Sequence, residues 1–118
     1  NAFASNTFTV PSGEAGKYTF GTNVLFTDGN GNVSDMLLYA HTTISSSGNQ
    51  SQIARAESTS NGTTFTQINL GMTFTLTLSV GDVVKIQAYA DTNNGSGVGV
   101  GTGGTPGKTF FGGYKIIE

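Results

Sequence analysis

The chain has no cysteine and no tryptophan, two prolines, one histidine and few charges. Without cysteine there is no disulfide scaffold and no thiolate metal site, so a core has to hold the fold. The single histidine, His41, excludes a histidine metal cluster and leaves no marked base for a serine or threonine nucleophile. It reads as a structural or surface residue, with a pH-sensitive contact as the alternative. Charged residues make up 10% of the sequence, against about 25% in an average soluble domain. The five basic residues (Lys17, Arg55, Lys85, Lys108 and Lys115) are scattered singly, and the net charge is -2. No basic stripe exists to follow phosphates, so nucleic acid is not expected as a partner. No apolar run approaches the roughly 18–20 residues of a membrane-spanning helix, and no signal peptide is visible, so membrane insertion is not expected. The seven carboxylates (Glu14, Asp28, Asp35, Glu57, Asp82, Asp91 and Glu118) show no paired acid/base spacing. An enzyme is not expected.

The missing charge and helix-forming residues are replaced by 18 Gly, 18 Thr, 11 Ser and 10 Asn. Threonine favours strands, while glycine and asparagine favour the turns between them. The clearest strand runs from Thr73 to Val80, where Phe74, Leu76, Leu78 and Val80 alternate with Thr73, Thr75, Thr77 and Ser79. A period of two places one face in a core. After the Gly81-Asp82 turn, Val84, Ile86, Ala88 and Ala90 alternate with Lys85, Gln87 and Tyr89. Tyr18, Phe20, Val24 and Phe26 share one parity, with a bulge expected at Gly21. Met36 to Ala40 is a continuous apolar run, read as a doubly buried strand rather than a turn of helix. Ile53 to Glu57 and Thr64 to Leu70 are weaker strands around an Asn61-Gly62 turn, and Thr109 to Ile117 closes the chain. Gly95 to Gly107 reads as a long loop lacking regular structure. The pattern predicts seven or eight strands in an all-β sandwich or jelly roll, filling one domain over 1–118. Phe20, Phe26, Phe74, Leu76, Leu78, Ile86 and Ala88 are expected in its core.

Three motifs suggest ligands. Asp28-x-Asn30-x-Asn32 copies the first ligand positions of a calcium loop, yet Val33 and Tyr39 stand where that loop needs Gly and Glu. An ordinary hairpin turn is the preferred reading and a calcium site at Asp28, Asn30 and Asn32 the alternative; no other cofactor is expected. Gly99 to Gly104 matches G-x-G-x-x-G, but a strand follows it where a dinucleotide site needs a helix. Gly107-Lys108-Thr109 echoes the end of a P-loop, with Thr102 at the required first glycine.

Three further segments occur in a familiar order. Phe8-Thr9-Val10-Pro11 and Gly16-Lys17-Tyr18-Thr19-Phe20 resemble the F-T-V-P-x-x-G-x-Y-x-F entry of the complement C1q globular-head family. Ser12 to Ala15 stand where that family usually has two residues. Leu78 to Val84 resembles its L-x-x-G-D-x-V turn, and Phe110-Phe111-Gly112-Gly113-Tyr114 its closing F-x-G-aromatic strand. The resemblance spans Phe8 to Ile117. It implies a jelly-roll β-sandwich of the C1q and tumour-necrosis-factor type, assembled as a homotrimer and without catalysis.

That family has an opening strand pair before F-T-V-P, whereas only Asn1 to Thr7 precede it here. The expectation is therefore the C-terminal part of a longer chain, or a second chain that supplies those strands, with Phe111 to Ile117 left as a sheet edge. The resemblance, the lack of active-site chemistry and the neutral Thr/Gly/Asn composition together imply an extracellular virion-surface module, a bacteriophage capsid decoration protein or fibre knob contacting other virion or surface proteins. The alternative is a secreted or bacterial cell-surface domain that recognises glycan or protein through its loops. Tyr89, Phe110, Phe111 and Tyr114 are the expected trimer-interface residues, because their strands are apolar on both parities.

Overall fold

A computed structural model describes residues 2–4, 7–27, 33–59, 66–92, 99–100 and 109–116. Its strands are β1 (Phe3–Ala4), β2 (Thr7–Thr9), β3 (Gly16–Thr27), β4 (Val33–Thr43), β5 (Gln50–Thr59), β6 (Gln67–Leu78), β7 (Val83–Thr92), β8 (Gly99–Val100) and β9 (Phe110–Lys115). No helix occurs among the described residues. Two antiparallel sheets form a β-sandwich. One has the order β1-β2-β7-β4-β5; the other has β3 at its centre, β6 along one edge, and both β8 and β9 along the other.

The alternation around Thr73 to Leu78 holds: Thr73, Thr75 and Thr77 are exposed, and Leu78 is buried. The strand carrying it is longer than expected. β6 runs unbroken through Gly71 because all twelve of its residues pair with β3, from Gly16↔Leu78 to Thr27↔Gln67. A long ladder carries a glycine that local propensity alone would place in a turn. The same register passes straight through Gly21↔Thr73, so no bulge sits at Gly21. The irregularities fall elsewhere: Ile53 of β5 is extra opposite Ala40 and His41, and Ser34 of β4 is extra opposite Asp91 and Thr92.

β4 is not buried on both faces. Met36, Leu38 and Ala40 are buried, while Leu37, Tyr39 and His41 are half-exposed. β3 and β4 lie in different sheets, so they are not the two strands of a hairpin. Turn-forming residues mark where a chain reverses, and say nothing of which sheet receives the next strand. Asp28, Asn30 and Asn32 themselves lie outside the described residues. So does most of the glycine-rich segment, except that Gly99 and Val100 pair with Thr27 and Phe26.

The core has two halves. Phe8, Val10, Tyr18, Phe20, Leu78 and Val84 form one, with Phe3, Phe74, Leu76 and Phe111 packed against it. Phe20 is its hub, with ring centroids 5.1 Å from Phe8, 5.5 Å from Phe74 and 5.8 Å from Phe111. Val24, Phe26, Val33, Met36, Leu38 and Leu70 form the other half, with Ile68, Met72 and Ile86 against it. Of the expected core, Phe20, Phe26 and Leu78 are buried, whereas Phe74, Leu76 and Ile86 are half-buried. Ala88 is exposed despite its inward parity. β2 covers β7 only from Val83 to Lys85, so the far part of β7 is a sheet edge among the described residues. Val80 is exposed too, because β6 ends at Leu78.

The end of the sandwich is tied by one carboxylate. Asp82, 3% exposed, accepts the Ser45 amide through Oδ1 and the Ser79 amide through Oδ2, both at 2.9 Å. Its carbonyl accepts the Val10 amide, and the Gly81 amide donates to the Val10 carbonyl. Gly81 adopts φ 84°, the left-handed region that glycine tolerates best. Three chain segments thus converge on the Gly81-Asp82 turn. Burial works to raise the Asp82 pKa, but hydrogen bonds from the Ser45 and Ser79 amides and the Ser45 hydroxyl outweigh it, and the net shift is downward.

Candidate functional site

With the core between the sheets, each sheet turns a second set of side chains to solvent. On the sheet built around β3, register places Tyr114, Thr19 and Thr75 in one row, Gly112, Gly21 and Thr73 in the next, and Phe110, Asn23 and Gly71 in a third. The Thr19 and Thr75 hydroxyls are 2.9 Å apart, and the Asn23 side-chain amide donates to Asn69 Oδ1 at 3.3 Å. Lys17 is the one charged residue on this face among the described residues. Phe110 is 49% exposed and Tyr114 67%, so two rings project from an otherwise small and neutral surface.

β9 is held in place from below. The buried Thr22 hydroxyl donates to the Phe110 carbonyl at 2.8 Å, and the Leu25 amide donates to Thr109 Oγ1 at 3.1 Å. Gly113 lies directly over Phe20, where a Cβ would come within 2.4 Å of the ring. Only glycine lets β9 approach β3 there. Beyond β3, β9 has no further strand partner among the described residues.

The opposite face, on β5-β4-β7, is chemically different. Tyr39 stands at its centre between Arg55 and Gln87 in register, and Leu37 stands between Glu57 and Tyr89. The Arg55 guanidinium lies 5.6 Å over the Tyr39 ring and donates to Glu57 Oε2 at 2.6 Å. His41 is 6.0 Å from Tyr39, centroid to centroid. Asp35 and Asp91 face one another across β4 and β7, and Lys85 lies opposite His41. Tyr89 is 53% exposed.

The four expected interface residues therefore do not form one surface. Phe110 and Tyr114 share a face. Phe111 points inward against Phe20 and Phe3, and Tyr89 projects from the other sheet. Sequence reasoning missed the Tyr39–Arg55–Glu57 grouping. Its signal was present, since Leu37, Tyr39 and His41 alternate with buried residues, and Arg55 and Glu57 alternate with Ala54 and Ala56. What it lacked was the register that sets the two strands side by side.

No group of three or more His, Cys, Asp or Glu side chains that could hold a metal ion occurs among the described residues. No known family model matches the chain, and no curated protein matches it.

Proposed function

We propose that this chain is a non-enzymatic head of the C1q and tumour-necrosis-factor jelly-roll type, working as a trimeric structural or attachment module on an extracellular particle. A bacteriophage capsid decoration protein or fibre knob is the specific form. The strand order supports the jelly-roll reading. Apart from β1–β2, β4–β5 and β8–β9, each successive strand lies in the opposite sheet, a wiring that suits two interleaved Greek keys.

The observation that carries the trimer is the exposed Phe110 and Tyr114 pair on a face with almost no charge. Such a face loses little on desolvation and gains the burial of two rings. Tyr89 is left out of the seam. It points away from the opposite side of the sandwich, and joining opposite faces of successive copies would stack them in an open column rather than close a ring. Phe111 is left out as well, since the monomer's own core uses it.

Light scattering should give about three times the 12.1 kDa chain mass. Phe110→Lys with Tyr114→Lys should return the mass to one chain while circular dichroism stays unchanged, because each lysine would bury an unpaired charge at the seam. A monodisperse monomer of the unmutated protein at micromolar concentration would remove the proposal. The second reading, a secreted or cell-surface recognition domain, is favoured by the mixed aromatic and charged face around Tyr39.

A further inference from the structure

We infer that the solvent face of β5-β4-β7 binds a neutral oligosaccharide, with Tyr39 and Tyr89 as its stacking residues and Arg55, Glu57 and Gln87 as its hydrogen-bonding residues. The site lies on the sheet itself and not on the loops. It uses the face opposite Phe110 and Tyr114, so it stands or falls separately from the trimer.

Register sets the geometry. Tyr39 lies opposite Gln87, and Tyr89 opposite Leu37, so the two tyrosines are diagonal neighbours on adjacent strands. Such neighbours are about 7–8 Å apart at the backbone, close enough for one extended ligand to touch both rings. A tyrosine ring is an apolar plane with a polar tip, and it suits the C–H face of a sugar whose hydroxyls lie around its rim. Planar groups that offer two or more hydrogen-bonding atoms each surround the rings: the Arg55 guanidinium, the Glu57 carboxylate and the Gln87 amide. Arg55 is already held by Tyr39 and Glu57. That contact limits the rotamer freedom a long side chain would otherwise lose on binding. The register between β4 and β5 shifts between Ala40 and His41, where Ile53 is the extra residue on β5, two positions before Arg55.

The charges select among occupants. Arg55 and Lys85 nearly offset Asp35, Glu57 and Asp91 on this face. A polyanion would meet three carboxylates. An apolar partner would strip water from five charged groups and return no hydrogen bonds. A neutral polyol satisfies both signs, because each hydroxyl donates and accepts.

The experiment is saturation-transfer NMR with maltohexaose, xylohexaose and chitohexaose as separate probes at millimolar concentration. Saturation transfer to at least one of them is expected. Tyr89→Ala and Arg55→Ala should each weaken that binding by roughly tenfold or more, as loss of a central aromatic or arginine anchor does. Tyr89→Phe should retain it, because the ring remains. Phe110→Ala should not change it, whatever that substitution does to the mass by light scattering. No transfer to any of the three probes would overturn the inference. So would transfer that is equal in the unmutated protein, Tyr89→Ala and Arg55→Ala.

Discussion

The two solvent faces of this sandwich share one core and differ in almost every other respect. The β6-β3-β9 face is mostly threonine, asparagine and glycine, with Gln67, a buried Leu25 and two projecting rings, and Lys17 is its single charge among the described residues. The β5-β4-β7 face carries Arg55, Glu57, Lys85, Asp35 and Asp91 around Tyr39 and Tyr89. In a chain only 10% charged, gathering most of the strand-borne charge on one side is informative. Charges resist burial at protein contacts, so the neutral face suits a contact between copies and the charged one suits water or a wet ligand. The difference also concerns tolerance. β9 is fitted to β3 through Gly113 and Thr22, whereas Arg55 and Glu57 touch mainly each other and Tyr39.

The largest effect that would break this contrast is expected at β9. Gly113→Val would place atoms where Phe20 Cδ1 already lies 2.4 Å and the Thr19 carbonyl oxygen 2.7 Å from the first added carbon. The strand has to lift off, and urea denaturation should show a loss of about 3 kcal/mol or more. Gly112→Ala, one residue away on the outward side, meets nothing within 4 Å and should cost less than about 1 kcal/mol. Equal costs at the two positions would mean that β9 is not seated as described.

An intermediate effect is expected where the two sheets are tied together. Asp82→Asn removes one of the two oxygen acceptors that hold the Ser45 and Ser79 amides, and should cost about 1–3 kcal/mol. The pH dependence has a definite sign. The folded pKa of Asp82 lies below its ordinary unfolded value, so the carboxylate's contribution is fully present above that unfolded value and is lost as pH falls through the folded pKa. Midpoints in urea measured from pH 6 down to pH 2 should fall at the acid end for the unmutated protein, and less steeply for Asp82→Asn. Parallel curves would assign the acid sensitivity to other groups.

The smallest effect sharpens the contrast. Arg55 and Glu57 are an exposed pair, with side chains 45% and 46% accessible. Glu57→Ala should therefore change stability by no more than about 1 kcal/mol in the same assay. A loss as large as that of Gly113→Val would make the charged face structural, and would weaken the case for a ligand there.

How much of this was legible differs from element to element. Thr73 to Leu78 could be read directly, because its alternation is long and its threonines and apolar residues are cleanly separated. Phe20 and Phe26 followed from parity on β3 in the same way. Ala88 did not, since its exposure depends on how far β2 extends along β7. Phe110, Phe111 and Tyr114 were legible as an aromatic strand apolar on both parities. Which ring turns inward depends on register, since Phe111 pairs with the inward-facing Thr22 and packs on Phe20. The charged face was legible strand by strand but not as a surface.

The all-β character, the turn at Gly81-Asp82, and the apolar parity of the strands that carry Phe20, Leu78 and Val84 were written in the sequence. These are local properties. Alternation with a period of two and a glycine at positive φ act within a few residues of chain. The pairing of β3 with β6 and β9 rather than with β4, the seat of Gly113 on Phe20, and the place of Tyr39 between Arg55 and Gln87 came from the assembled fold. Those neighbours are far apart in sequence. Their pairing is set by which long-range arrangement buries the most apolar surface with every ladder satisfied, and no window along a single strand contains that information.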